Sequence, residues 1–163
     1  MKIQLKNIQH AQFASEETNC YDASLYFQGK KVGSVGNDGH GGCDREHRSD
    51  KALWADMEAF IGTLPPREGK IGDKTYSRKQ TLESICNDLL TEHLLTKDLK
   101  RLLKNRVVYV QDGSLYQTKC AKDVIHTLAG WIEQIKGRHG VSTVLNELDF
   151  SKALEIFTQK TQH

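Results

Sequence analysis

The side chains best suited to chemistry lie close together between Cys20 and His47. Asn37, Asp38, Gly39, His40, Gly41 and Gly42 interleave three glycines with an amide, a carboxylate and an imidazole. Glycine lets a backbone take positive φ or approach a ligand with no Cβ in the way. Successive N–H groups in such turns can converge on an anion, which suits phosphate or a nucleotide-like ligand. Residues 37–42 are therefore the candidate ligand-binding loop. The competing reading is a surface turn in which Asn37 and Asp38 cap their own backbone.

His40, Cys43 and His47, with Cys20 upstream, also allow a zinc site to be written down. The H-x2-C-x3-H spacing lacks the paired Cys-x-x-Cys half-sites of zinc ribbons, so no metal is expected and these three residues are its alternative ligands. A hydrolase or nuclease reading makes His40 a general base and Asn37, Asp38 or His47 metal ligands. The chain contains no G-x-x-x-x-G-K-[ST], G-x-S-x-G, H-E-x-x-H or C-x-x-C. With those signatures missing, a binding protein without a cofactor is favoured over an enzyme.

The elements that must position this loop follow from hydrophobic spacing. Tyr21, Ala23, Leu25 and Phe27 alternate with Asp22, Ser24 and Tyr26, which predicts a strand with one buried face. Gln28-Gly29 reads as a tight turn into a partner strand over Lys30–Val35. There Val32 and Val35 fall out of alternation and Gly33 and Gly36 leave gaps, so a bulge or a close backbone approach is expected. Met1–His10 supplies a first strand, completing a three-stranded antiparallel meander. Asp50–Gly62 is a helix capped by Ser49 or Asp50, its Leu53, Trp54, Met57, Phe60 and Ile61 covering the sheet.

Residues 63–77 hold both prolines and read as a linker or long loop, so the chain is expected to divide into lobes over 1–62 and 78–163. In the second, Arg78–Leu95 forms a helix and Thr96 caps another. Arg106–Gln111 and Ser114–Lys119 form a hairpin about Asp112-Gly113. A helix over Lys122–Lys136, a strand over Thr143–Asn146 and a helix over Phe150–Phe157 complete a β-β-α-β-α order. The expected fold class is α+β, a covered meander followed by a mixed helical lobe.

At 163 residues the chain can bury an ordinary core, and it has no apolar run of membrane-spanning length. Its start lacks the continuous apolar segment of a secretory signal. Cys20, Cys43, Cys86 and Cys120 form no disulfide framework, which suits a reducing cytoplasm. With 23 basic against 21 acidic residues, composition does not announce a nucleic-acid binder. A nucleic-acid reading would instead rest on Lys30, Lys31, Arg45 and Arg48 against phosphates. Further basic groups lie at Lys97, Lys100, Arg101 and Lys104, and through the linker.

The segments FASEETNCYDASLYFQGKKVGSVGNDGHGG, VVYVQDGSLYQTK and VLNELDFSKALEIF resemble small accessory proteins encoded by bacteriophages and prophages. No activity attaches to that resemblance, and no catalytic residue is carried over from it. It implies a setting in the infected bacterial cytoplasm, where such proteins blunt host defences or redirect host enzymes by binding. The resulting expectation is a host-takeover or anti-defence binding protein whose partner is a host protein or phosphate-bearing ligand.

Overall fold

The computed structural model describes residues 2–72, 74–118 and 127–161. The chain is α+β and divides into two units, Met1–Thr91 and Glu92–His163. The division falls inside a helix rather than in the proline-containing segment, which belongs wholly to the first unit.

The first unit is built on a four-stranded antiparallel sheet, β1 (Ile3–His10), β2 (Tyr21–Phe27), β3 (Lys30–Asn37) and β4 (Arg45–Arg48), in that spatial order. The expected meander thus gains a fourth strand. β2 behaves as its alternation predicts, with Tyr21, Ala23, Leu25 and Phe27 buried. Its turn to β3 has φ of 50° at Gln28 and 83° at Gly29, positive at both central positions as a type I′ hairpin requires. Pairing shifts between Leu25↔Gly33 and Tyr26↔Lys31, leaving Val32 as the extra residue of the expected bulge.

Helix α1 (Lys51–Gly62) buries Trp54, Met57 and Ile61, and its Phe60 ring lies 5.7 Å from that of Phe27. Asp50 is the N-cap, accepting from the Leu53 N–H at 3.0 Å. A Cβ on Gly33 would overlap the His47 carbonyl and stand 2.9 Å from the Trp54 ring, so the glycine admits both neighbours.

The segment read as a linker instead forms a hairpin, β5 (Arg67–Ile71) with β6 (Lys74–Arg78). Tyr76 lies against Gly69 across the pair, occupying the space where a Cβ would stand. Helix α2 then runs unbroken over Leu82–Asn105, where separate helices meeting at Thr96 were expected. No glycine or proline interrupts that stretch, and an interior threonine costs well under ~1 kcal/mol of helix propensity. Thr81 and Ser84 cap the helix start reciprocally, each hydroxyl accepting from the other residue's N–H at 3.0 and 3.1 Å. Leu82, Cys86 and Leu90 are the buried positions of its first turns.

In the second unit β7 (Val108–Gln111) is central in the order β8 (Ser114–Gln117), β7, β9 (Val141–Val144). Asp112 and Gly113 take φ of 48° and 79°, the same turn type as the first hairpin. Both faces of β7 are covered, as its continuous apolar run requires. Val108 and Val110 pack with Leu99, Leu145, Ala153 and Phe157. Val107 and Tyr109 pack with Ile135 and Val144. The helices involved are α2, α3 (Leu128–Lys136) and α4 (Phe150–Thr161). Asn146 joins these pieces, accepting from the Val108 N–H at 2.8 Å and donating to the Arg106 carbonyl at 2.9 Å. Positions 119–126, including Cys120, Val124, Ile125 and His126, lie outside the described residues, as does His163. No described helix is long and apolar enough to cross a membrane.

Candidate functional site

The glycine-rich loop leaves β3 at Asn37, paired with Tyr21 across the sheet, and returns into β4 after Asp44. Asn37 is 4% exposed and all of its amide is used. Its Oδ1 accepts from the Thr18 hydroxyl at 2.6 Å and the Gly39 N–H at 2.9 Å. Its Nδ2 donates to the Gly42 carbonyl at 3.2 Å and to Asp44 at 3.3 Å. One side chain therefore ties both ends of the loop to the preceding connection.

That connection, residues 11–20 between β1 and β2, is docked equally firmly. The Gly39 carbonyl accepts three N–H groups, from Glu16, Glu17 and Thr18, at 3.0, 2.9 and 3.2 Å. Ser15 bridges from the Ala11 carbonyl to the Cys20 N–H at 2.9 Å each. His10 stands 3.3 Å from Asn19 and 3.4 Å from Ser15. Within this frame the N–H groups of Gly39, His40 and Gly41 are already held by Asn37, Asp38 and Thr18. These donors serve the loop's own architecture, the role anticipated for an Asx-capped turn.

Beside the loop a pocket of about 230 Å³ opens in the first unit. Thr18, Asn19 and Tyr21 form one wall, and Asn37, Gly42 and Asp44 another. Helix α2 closes it with Glu83, Asn87 and Leu90, one face of the helix at spacings of four and three. Tyr21 donates its phenol proton to Asp44. Burial first, then that hydrogen bond and the negative charge around it, hold the Tyr21 phenol well above its ordinary range. Burial likewise pushes the Cys86 thiol up to about 12, with Asp44, Glu46 and Glu83 adding to the effect.

Both groups therefore stay protonated while folded, which fixes a pH dependence. Below the ordinary thiol pKa of 9.0 the folded and unfolded chains hold the Cys86 proton alike. Above it only the unfolded chain releases that proton, so stability is lost as pH rises from 9.0 towards 12. The expected loss reaches about 1.4 kcal/mol per pH unit from this group, and Tyr21 acts in the same direction at higher pH. Urea midpoints measured from pH 8 to 11 should fall steeply for the natural chain and less steeply for Cys86→Ala.

Of the six loop residues expected to bind, only Asn37 and Gly42 line the pocket. Asp38 caps the loop, Gly39 is buried, and His40 is exposed with Nδ1 3.3 Å from Glu16. Gly41 sits over Glu17, with φ of 90°. Among the described residues no three His, Cys, Asp or Glu side chains come together to hold a metal ion. Cys43 is exposed, and His47 lies on β4 opposite Ser34.

The basic residues weighed for nucleic acid divide in two. Lys30 and Lys31 are exposed at the start of β3. Arg45 lies 3.9 Å from Asp22, and Arg48 is held by Glu46 at 3.0 Å and Glu58 at 3.2 Å while covering the Trp54 ring. Those acids offset the positive charge that a phosphate track needs. On α2, Arg101 pairs with Asp98 and Lys100 lies over the Phe150 ring.

Sequence reasoning missed Thr18, Asn19, Tyr21, Asp44, Glu83, Asn87 and Leu90. The α2 residues share a helix face, but nothing local announces that this face meets a loop so distant in the chain. An α+β protein with a polar pocket beside a hydrogen-bonded loop is the class that fold and site define. No family model, curated protein or solved structure matches the chain.

Proposed function

We propose that the chain is a protein-binding accessory factor of the phage kind, acting in the host cytoplasm by docking a host protein on the surface made by residues 11–20 and 37–44. The observation that carries this reading is Phe13. It is 93% exposed, whereas the other large exposed apolar groups among the described residues, Tyr76 and Tyr116, cover about half their surface at 43% and 48%. A single exposed aliphatic residue means little. Phe13 differs in being an aromatic ring presented by a short 3-10 helix, Gln12–Ala14, in a connection fixed by the hydrogen bonds of Ser15, Thr18 and Gly39. A ring on a backbone fixed in this way has only its two side-chain torsions to order on binding, and it brings a large apolar area. The phage resemblance supports the setting and the kind of partner.

The test compares Phe13→Ala with the natural chain in capture of a host protein from bacterial extract, followed by binding of the purified pair. Burying a phenylalanine is worth about 1.5–3 kcal/mol, so affinity should fall by roughly ten- to a hundredfold with unchanged melting behaviour. Equal capture by both proteins would reject Phe13 as the anchor.

A further inference from the structure

The pocket beside that loop carries uncompensated negative charge. Among the described residues, Asp44 and Glu83 line it and no lysine, arginine or histidine does. The groups that satisfy Asp44 are a neutral phenol and a neutral amide, Tyr21 and Asn37. Among the described residues neither Asp44 nor Glu83 is joined to a cation in an ion pair. Asn19 and Asn87 also line it, the Asn19 amide oxygen standing 3.3 Å from His10, and Leu90 and Tyr21 lie buried behind it.

We infer that this pocket binds a primary ammonium group, its charge received by Asp44 and Glu83. The size admits it, since about 230 Å³ leaves room for several water-sized groups, as a short alkylamine needs. A metal ion suits the site less well, since the donors include only two carboxylates and no three metal-ligating side chains converge among the described residues. An anion would meet those carboxylates with no positive group to offset them. The raised protonation ranges of Tyr21 and Cys86 reflect in part the same negative surroundings. The inference deepens the docking reading and rests on it, the docked host protein being the source of the ammonium as a lysine side chain.

The test uses small probes and needs no partner. n-Butylamine hydrochloride, n-butanol and inorganic phosphate are titrated into isotope-labelled protein at neutral pH, and magnetic-resonance shifts are followed at the Gly42 N–H and the Asn37 and Asn87 side-chain amides. Butylamine should move these signals saturably with a midpoint on the order of 1–10 mM, weakening as salt is raised. Glu83→Gln, at an exposed position, should weaken it about fivefold. Butanol and phosphate should leave the signals in place. Phosphate or butanol moving them as well as butylamine does, or Glu83→Gln binding butylamine as the natural chain does, overturns the inference. Nα-acetyl-lysine methylamide binding more tightly than butylamine assigns the ammonium to a protein side chain, and the reverse order assigns it to a free amine. Butylamine binding without any Phe13-dependent partner would leave the pocket standing and remove the docking reading. Phe13-dependent capture without butylamine binding would do the opposite.

Discussion

Gly39→Ala is expected to destabilise the first unit by about 3 kcal/mol or more, among the largest losses available to a single added methyl group. Gly39 has φ of 92°, where a Cβ costs about 1–2 kcal/mol before any contact is counted. Here the Cβ would also overlap the Ala14 carbonyl and stand 2.9 Å from the Cys20 Cβ. Backbone cannot swing aside as a flexible side chain can. Relief requires the 11–20 connection to lift away, and that breaks the three N–H bonds converging on the Gly39 carbonyl. At about 1 kcal/mol each, those bonds account for the rest. Gly42→Ala is the matched comparison, because its φ is 86° but nothing lies within 4 Å of the added carbon. It should lose only about 1 kcal/mol and disturb the pocket it lines instead. Urea unfolding followed by Trp54 emission, in a Trp131→Phe background, separates the two, and equal losses would show that the loop and the connection are not locked together.

How much of this could be seen in advance depended on whether apolar spacing marked the element. Tyr21, Ala23, Leu25 and Phe27 alternate because one face of β2 is core, and the Asp112-Gly113 turn announces itself chemically, so both were legible. The strand Arg45–Arg48 was not, since every residue in it is exposed and charged or polar. It exists because β3 offers it an edge, and its charges then protect the new edge. The Arg67–Arg78 hairpin was hidden in the same way: its β6 residues are all exposed, and Gly69 looks like a breaker until Tyr76 is seen to cover it. Thr96 misled in the opposite direction, because capping residues are also tolerated inside a helix whose apolar face continues past them. The site was half legible for a related reason. Asn37 and Gly42 belong to a conspicuous loop, but Glu83 and Asn87 come from a helix whose approach to that loop is set by tertiary packing alone.

The position whose loss should reach furthest is Asn37, and its two simplest substitutions should differ in a way that reveals the cause. Asn37→Ala removes four hydrogen bonds and leaves the Thr18 hydroxyl, the Gly39 N–H and the Gly42 carbonyl to find water in a place where the natural side chain is 4% exposed. Stranding buried polar groups in this way costs about 1–3 kcal/mol, and both walls of the pocket that Asn37 ties together should loosen. Asn37→Asp has almost the same shape and keeps the acceptor used by Thr18 and Gly39. It replaces the donating nitrogen with an oxygen facing the Gly42 carbonyl and the Asp44 carboxylate. Burial and the neighbouring carboxylate both oppose ionisation there, so the introduced carboxyl's pKa rises above the ordinary ~3.9 on folding. A group raised in this way leaves stability intact while protonated in both states, and removes it as pH climbs through the folded value. Asn37→Asp should therefore be less stable than Asn37→Ala at pH 7 and should recover relative to it as pH falls towards ~4. Urea midpoints of the two variants, each referred to the natural chain at the same pH, measure the crossing. Parallel curves from pH 7 to 4 would mean that the introduced carboxylate escapes to water, and that the Asn37 amide is not the tie holding the loop to its neighbours.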